Sequence, residues 1–268
     1  MSRLADRQLR DALTVSPGRL DLWVMRGSDP HGPGPSPALL ELSEAERARA
    51  ARFLGPSGRL RFTSAHVLLR RVVAAYLGEP PDRVRFVREA CPGCGGPHGR
   101  PAVAGAPLQF SMSHSRDLVL IGVAAATVGV DVERVPRAES VAACGRMLHP
   151  AEQSELAALD VEERRRAFGR LWTRKEAYLK ALGTGLSRDL GADFLGAETP
   201  GGPRRPPGWT VVDVDVAETH AAAAVVRGTG PLTTTLRGLP DDAVRVADPA
   251  PLLGEAVFGP PRQAKHDP

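Results

Sequence analysis

Long apolar runs are missing from this chain. No stretch approaches the roughly 18 consecutive apolar residues that a membrane-crossing helix needs, which excludes a spanning segment of that kind. Cysteine is scarce: Cys91, Cys94 and Cys144 are an odd number without the spacing of a disulfide framework, as expected in a reducing compartment. Aromatic residues are only 4%, and arginines alternate with acids in runs such as Glu162-Glu163-Arg164-Arg165-Arg166. Neither feature builds the stacking platform or basic stripe of a dedicated nucleic-acid binder. A strong excess of one charge is lacking too. Lys+Arg 35 against Asp+Glu 31 leaves +4, a mild bias that suits an acidic or phosphate-bearing partner. The opening Met1-Ser2-Arg3-Leu4-Ala5-Asp6-Arg7 carries charge where a secretory signal would be apolar, so a cytoplasmic protein is expected.

What is present is the composition of a folded protein. The 268 residues are 42% hydrophobic and 25% charged, enough for one large domain or two small ones with real cores. Gly 28 and Pro 25 predict long loops, one of them Gly27 to Pro37. Period-two alternation predicts strands over Leu20–Met25, Leu108–Ser113 and Val128–Glu133, Val84–Val87 reads as a short strand, and an apolar run predicts Leu118–Ala125. Ser43 with Glu46 reads as a capping box opening a helix to about Leu54, and a second helix runs from about Leu60 to Leu77 and stops at Gly78. Pro150 opens another, and a longer one spans about Glu162 to Leu182 before strands at Trp209–Val216 and Ala221–Val226. Cys91–Ala106 reads as a loop, and from Leu239 onward Pro, Asp and Gly predict a poorly ordered tail. Strand, two helices, then strands occurs twice.

Three segments could carry chemistry. In Val130-Asp131-Val132-Glu133, residues two apart on a strand share a face, so Asp131 and Glu133 project together. Two adjacent carboxylates repel unless a cation joins them, and hard oxygens suit Mg²⁺ beside phosphate; the plainer alternative is a solvated edge strand. Trp172, Glu176 and Lys180 stand at i, i+4 and i+8 of one helix, either a surface ion pair or the wall of a site. In Phe110-Ser111-Met112-Ser113-His114-Ser115, Ser113 and His114 could bind phosphate, or His114 could be a hydrogen-bonded structural residue. A serine nucleophile activated by His114 is disfavoured, because neighbours on a strand point to opposite faces.

Taken together, Phe110-Ser-Met-Ser-His-Ser115, Gly129-Val-Asp-Val-Glu133 and Trp172-Thr-Arg-Lys-Glu-Ala-x-x-Lys180 resemble the 4'-phosphopantetheinyl transferases of the Sfp (surfactin) type over roughly residues 20 to 230. The Arg61-to-Arg70 helix and Gly99-Arg100-Pro101 also look like looser motifs of that family. The resemblance implies an α+β fold of two pseudo-symmetric halves, each a small antiparallel sheet packed against helices, with the active site at their interface. The halves would be 1–126 and 127–238, followed by a Pro-rich tail, 239–268. The family moves phosphopantetheine from coenzyme A to a serine of an acyl, peptidyl or aryl carrier protein and releases adenosine 3',5'-bisphosphate. By similarity Asp131, Glu133 and Glu176 would surround Mg²⁺, with Mn²⁺ as a substitute. Glu176 would be ligand, base or both, and Lys180 would neutralise pyrophosphate charge. Ser113 and His114 would meet a coenzyme A phosphate, and Arg49 and Arg61 the 3'-phosphate, although Arg47 or Arg52 could replace Arg49. Arg100 and Pro101 stand where many relatives have Lys-Pro, and Arg keeps the charge but not the geometry. The expected state is a monomer, without nucleic acid or membrane.

Two other readings compete: an inactive paralogue that binds carrier protein or coenzyme A, and a nucleic-acid-binding module built on a zinc loop. Cys91-Pro92-Gly93-Cys94-Gly95-Gly96-Pro97-His98 has the spacing that begins a zinc site, yet a closed site needs four ligands.

Overall fold

The computed structural model describes residues 11–26, 38–246 and 248–258. Met1–Arg7, the Gly27–Pro37 loop and the end of the tail lie outside them. In chain order the elements are β1 (Arg19–Arg26), α1 (Glu44–Ala51), α2 (Pro56–Leu77), β2 (Phe86–Arg88), β3 (Pro101–Val103), β4 (Gln109–Ser115), β5 (Leu118–Ala124) and β6 (Val128–Arg134). There follow α3 (Ala138–Cys144), α4 (Pro150–Ala157), α5 (Val161–Leu182), β7 (Trp209–Asp213), β8 (His220–Arg227), β9 (Thr233–Leu239) and α6 (Ala250–Phe258).

Local signals set the helix ends. The Ser43 hydroxyl accepts the Glu46 amide and the Glu46 carboxylate accepts the Ser43 amide, so the capping box is formed, though α1 stops at Ala51 instead of Leu54. Pro56 starts α2 four residues earlier than the apolar pattern suggests, because a first-turn proline loses no hydrogen bond. Asp160 caps α5 by accepting the amides of Glu162 and Glu163. Both long helices end on a left-handed glycine, Gly78 (φ 68°) and Gly183 (φ 79°).

Period-two alternation then stacks the elements in four layers. On β1, Trp23 and Met25 join the α2 residues Leu68, Leu69, Val72 and Val73 in one core. Leu20, Leu22 and Val24, on the opposite face, pack in a second core with Val128, Val130 and Val132 of β6 and Ala222, Ala224 and Val226 of β8. The outer face of β8, Ala223 and Val225, meets Ala177, Tyr178 and Ala181 of α5. The order is therefore α2, a sheet β4-β5-β1-β9, a sheet β6-β8-β7, then α5. Truncating a leucine of the core between the sheets should cost about 2–5 kcal/mol. No described helix is long and apolar enough to cross a membrane.

The mixed α+β class holds, but four details depart from the sequence reading. The first sheet is not purely antiparallel, since β1 pairs β9 in parallel. The β9 strand, Thr-Thr-Thr-Leu-Arg-Gly-Leu, lacks a clean alternation, and it joins the first sheet although it follows the elements of the second. Part of the supposed Cys91–Ala106 loop is β3, which pairs antiparallel with β2. The tail is ordered well past Leu239. Its Pro- and Asp-rich composition hides apolar anchors, for Leu239, Ala243, Val244 and Leu253 are buried in the α2 core. Buried Arg71 also donates to the carbonyls of Ala243 (2.7 Å) and Val246 (2.8 Å), while Glu41 balances its charge.

Candidate active site

The site begins with a glycine. Along β6 the valines face the inter-sheet core, so Gly129, Asp131 and Glu133 turn toward α5. A Cβ on Gly129 would lie 1.9 Å from the Ala177 carbonyl oxygen and 2.6 Å from the Ala181 amide nitrogen. Only a residue without a side chain lets α5 cross the strand this closely. The crossing brings Glu176 and Lys180, neighbours of those two alanines, to the carboxylates of β6.

These residues line a cavity of about 900 Å³, together with Trp172, Arg49, Arg100, Pro101, Ser113 and His114. Arg61 is off its wall, as are Arg47 and Arg52, the alternatives to Arg49, although Arg61 is near enough for its charge to act on His114.

Asp131 is buried and its two oxygens differ. Oδ1 accepts the Ser113 hydroxyl (2.7 Å) and the Lys180 ammonium (2.6 Å), whereas Oδ2 is buried without a hydrogen-bond partner among the described residues. Lys180 also donates to the Val130 carbonyl (3.1 Å), leaving one of its three N–H groups for a ligand. Ser113 faces the cavity, but its single proton goes to Asp131, so it orients the carboxylate and has none to give a phosphate. Burial, and then the neighbouring Asp131 and Glu133, push the Glu176 carboxyl above its ordinary pKa. Burial also raises Glu133, with Asp131 adding to it, against a bond from Ser115 (2.8 Å) that lowers it. Three mutually repelling carboxylates and an orphaned buried oxygen offer the hard donors a divalent cation prefers, although among the described residues the ligating oxygens of the three acids do not all lie within 4.8 Å of one another.

The opposite wall is basic. His114 is held below its ordinary pKa by burial first, then by the charges of His66, Lys180, Arg61 and Arg49. Arg49 lies over the Phe62 ring (5.3 Å), and among the described residues no carboxylate pairs with it. An anion placed here would relieve the repulsion. Arg100 is more committed: its guanidinium holds Glu89 (2.6 Å) and the Ala181 carbonyl (3.2 Å), tying the β2–β3 hairpin to the last turn of α5. Lys175, inside the helical motif, turns away to a buried pair with Glu152 (2.8 Å).

Sequence reasoning missed some contributors. Glu46 reads as a capping residue, yet it also accepts from His66 (2.9 Å) and Arg70 (2.8 Å), both on the cavity wall. The serines of β4 form a seam along β6: Ser111 accepts the Val130 amide, Ser113 donates to Asp131 and Ser115 to Glu133. Their period-two spacing matches that of the acids, and that was the available signal.

The family model of the 4'-phosphopantetheinyl transferase superfamily matches residues 127–211, which contain all three acids. The 4'-phosphopantetheinyl transferase HetI of Nostoc sp. is 34% identical over 198 residues, 70% of this chain and 80% of its own length. A putative 4'-phosphopantetheinyl transferase of Synechocystis sp. is 32% identical over 63% of this chain and 67% of its own. The 4'-phosphopantetheinyl transferase Sfp of Bacillus subtilis is 27% identical over 56% and 63%. With its acids, lysine and basic wall gathered in one cavity, and relatives matched over most of their length, this chain belongs to the 4'-phosphopantetheinyl transferase superfamily.

Proposed function

We propose that this protein transfers 4'-phosphopantetheine from coenzyme A to a serine of a carrier protein, with Mg²⁺ bound by Asp131, Glu133 and Glu176. The observation that carries this reading is the buried, unpartnered Oδ2 of Asp131, an acid that lines the cavity together with Glu133 and Glu176. A lone buried carboxylate oxygen is costly, and a hard cation offsets that cost. When bound, the metal would neutralise charge on the pyrophosphate.

The protein's own groups supply the rest. Glu176, its basicity raised by burial and by its acidic neighbours, takes the proton from the carrier serine. The serine oxygen forms a bond to the pantetheine-side phosphorus. The bond from that phosphorus to the bridging oxygen breaks, and its electrons leave on adenosine 3',5'-bisphosphate. Lys180, anchored on Asp131 with one N–H to spare, offsets charge on the departing phosphate. Arg49, with Arg61 behind it, and His114 face the nucleotide-side phosphates. Pro101 and the Arg100 stem border the same cavity.

The architecture behind this reading is two pseudo-symmetric halves, about 1–126 and 127–238, with the site between them and β9 crossing to the first. Each sheet is backed by a 22-residue helix ending on a left-handed glycine, which supports the pairing. One chain supplies both walls, so a monomer suffices, working in the cytoplasm.

Asp131→Asn keeps the shape and the Ser113 contact but removes the charge. With coenzyme A, Mg²⁺ and an apo carrier protein, kcat should fall about 10²–10³-fold, read as loss of the one-phosphopantetheine mass increase, while circular dichroism stays native. Turnover near that of the unsubstituted protein refutes the metal assignment.

A further inference from the structure

One cluster is left unused by the transfer chemistry. The connection between β2 and β3 brings Cys91, Cys94 and His98 together, with one ligating atom from each inside 4.8 Å of the others. Cys94 Sγ and His98 Nε2 are 3.0 Å apart. A tetrahedral zinc with bonds of about 2.0–2.3 Å needs donors about 3.6–3.8 Å apart, so Cys94 and His98 have to part by about 0.6 Å.

The backbone is shaped as a turn around Cys91 Sγ, at which the amides of Gly93 and Cys94 point. The Cys91 amide donates to the Gly96 carbonyl (2.8 Å), and its carbonyl accepts from Gly95 (2.7 Å). Gly95 takes a left-handed φ of 75°, and a Cβ on Gly96 would press on His98 (3.1 Å) and on Cys94 Sγ (3.4 Å). The glycines therefore serve the convergence of the three side chains. Cys91 is buried, while Cys94 and His98 are exposed and can be reached by an ion.

From this convergence we infer that Cys91, Cys94 and His98 bind one Zn²⁺, with water in the fourth position. Binding releases two thiol protons, so the dipositive ion and two thiolates leave the site neutral. The proposal does not depend on the transfer reaction, but it has a consequence for it. The hairpin has three residues per strand, too little to be stable alone, and its ligands end one residue before Gly99-Arg100-Pro101. Arg100 grips Glu89 and the Ala181 carbonyl, one residue beyond Lys180. Zinc thus fastens the strap that holds the last turn of α5, and Arg100 acts as a positioning residue.

The test uses the untagged full-length protein, purified under reducing conditions without chelator. Elemental analysis should find about one zinc per chain. After stripping and reloading with Co²⁺, thiolate-to-cobalt charge transfer and the intense visible bands of a tetrahedral site should appear. Cys91→Ser/Cys94→Ser and His98→Ala should lose the zinc, whereas Cys144→Ser keeps it. Less than about 0.1 zinc per chain, both as purified and after incubation with zinc sulfate, overturns the proposal. So does a six-coordinate, thiolate-free cobalt spectrum, which decides the matter even if the variants misfold. Stripped enzyme should show KM for coenzyme A raised about threefold or more, with a smaller change in kcat, restored by zinc at constant Mg²⁺. An unchanged KM refutes the strap. Metal content is read without any transfer assay, so a failed carrier reaction leaves the zinc result standing.

Discussion

Adding one carbon at Gly129 should separate the two elements that carry the acids. In Gly129→Ala the new Cβ would sit 1.9 Å from the Ala177 carbonyl oxygen, where an ordinary C···O contact is about 3.3 Å. Helix and strand must therefore part by about 1.4 Å. The obstacle is backbone inside a helix, so no rotamer change can absorb it. Lys180 and Asp131 are 2.6 Å apart, and a shift of that size breaks their bond and moves Glu176 away from Asp131 and Glu133. Displacement on this scale costs about 10²-fold in rate, with overpacking adding about 1–3 kcal/mol of destabilisation. The assays are carrier-protein modification followed by intact mass, and urea denaturation. Gly122→Ala is the control: its Cβ would meet the side chains of Val130 (2.6 Å), Val128 and Leu22 on the inter-sheet face. It should lose stability while keeping more of its turnover than Gly129→Ala. Gly129→Ala with full turnover and unchanged stability would refute the close-crossing argument.

Further outcomes follow from the basic wall. Arg49→Ala should weaken coenzyme A about 10–100-fold and dephospho-coenzyme A much less, as measured by titration calorimetry, because charge-assisted bonds to the 3'-phosphate are lost. Arg61→Ala should have the smaller effect, since Arg61 is off the cavity wall; equal losses for both ligands would remove the 3'-phosphate from this region. Burial would raise the Glu46 carboxyl, but bonds from His66, Arg70 and Ser43 outweigh it and bring the pKa from 4.5 to about 2. A depressed carboxylate stabilises the fold above its unfolded pKa, and that contribution disappears as pH falls from about 4.5 toward 2. The full shift corresponds to about 3 kcal/mol, which solvent screening reduces to about 1–2. Glu46→Gln should flatten the denaturation free energy over that window, and an unchanged pH dependence would contradict the assignment.

The parts of the fold legible in the sequence are those with a strong local signal. Alternation on β1, β4 and β6, the capping box at Ser43, and the glycines ending α2 and α5 each state a rule that neighbouring residues obey without help from afar. The missed β9 and the docked tail depend on distant partners instead: the edge of β1, and the buried guanidinium of Arg71. Composition could not show that a Pro- and Asp-rich segment has a cation waiting in the α2 core. Much the same holds within the site. The acids were legible because strand and helix periods fix which side chains share a face. The commitment of Ser113 to Asp131, and the double duty of Glu46, exist only once β4 meets β6 and α1 meets α2.

That seam explains how four stacked layers can hold an open charged site. Where β4 of one sheet runs beside β6 of the next, serine hydroxyls bridge them through the Val130 amide and the carboxylates of Asp131 and Glu133. A hydroxyl both donates and accepts, so one residue type can satisfy a backbone amide at one rung and orient an acid at the next. Valines at this seam would fill the space but leave the buried Val130 amide unpaired, Asp131 Oδ1 would keep only Lys180, and the repulsion among the acids would go less compensated. The alternation Ser111-x-Ser113-x-Ser115 is therefore a fold signal and a site signal together. The same hydroxyls that join the sheets fix which oxygens of Asp131 and Glu133 are occupied, and they leave Asp131 Oδ2 without a partner beside the cavity.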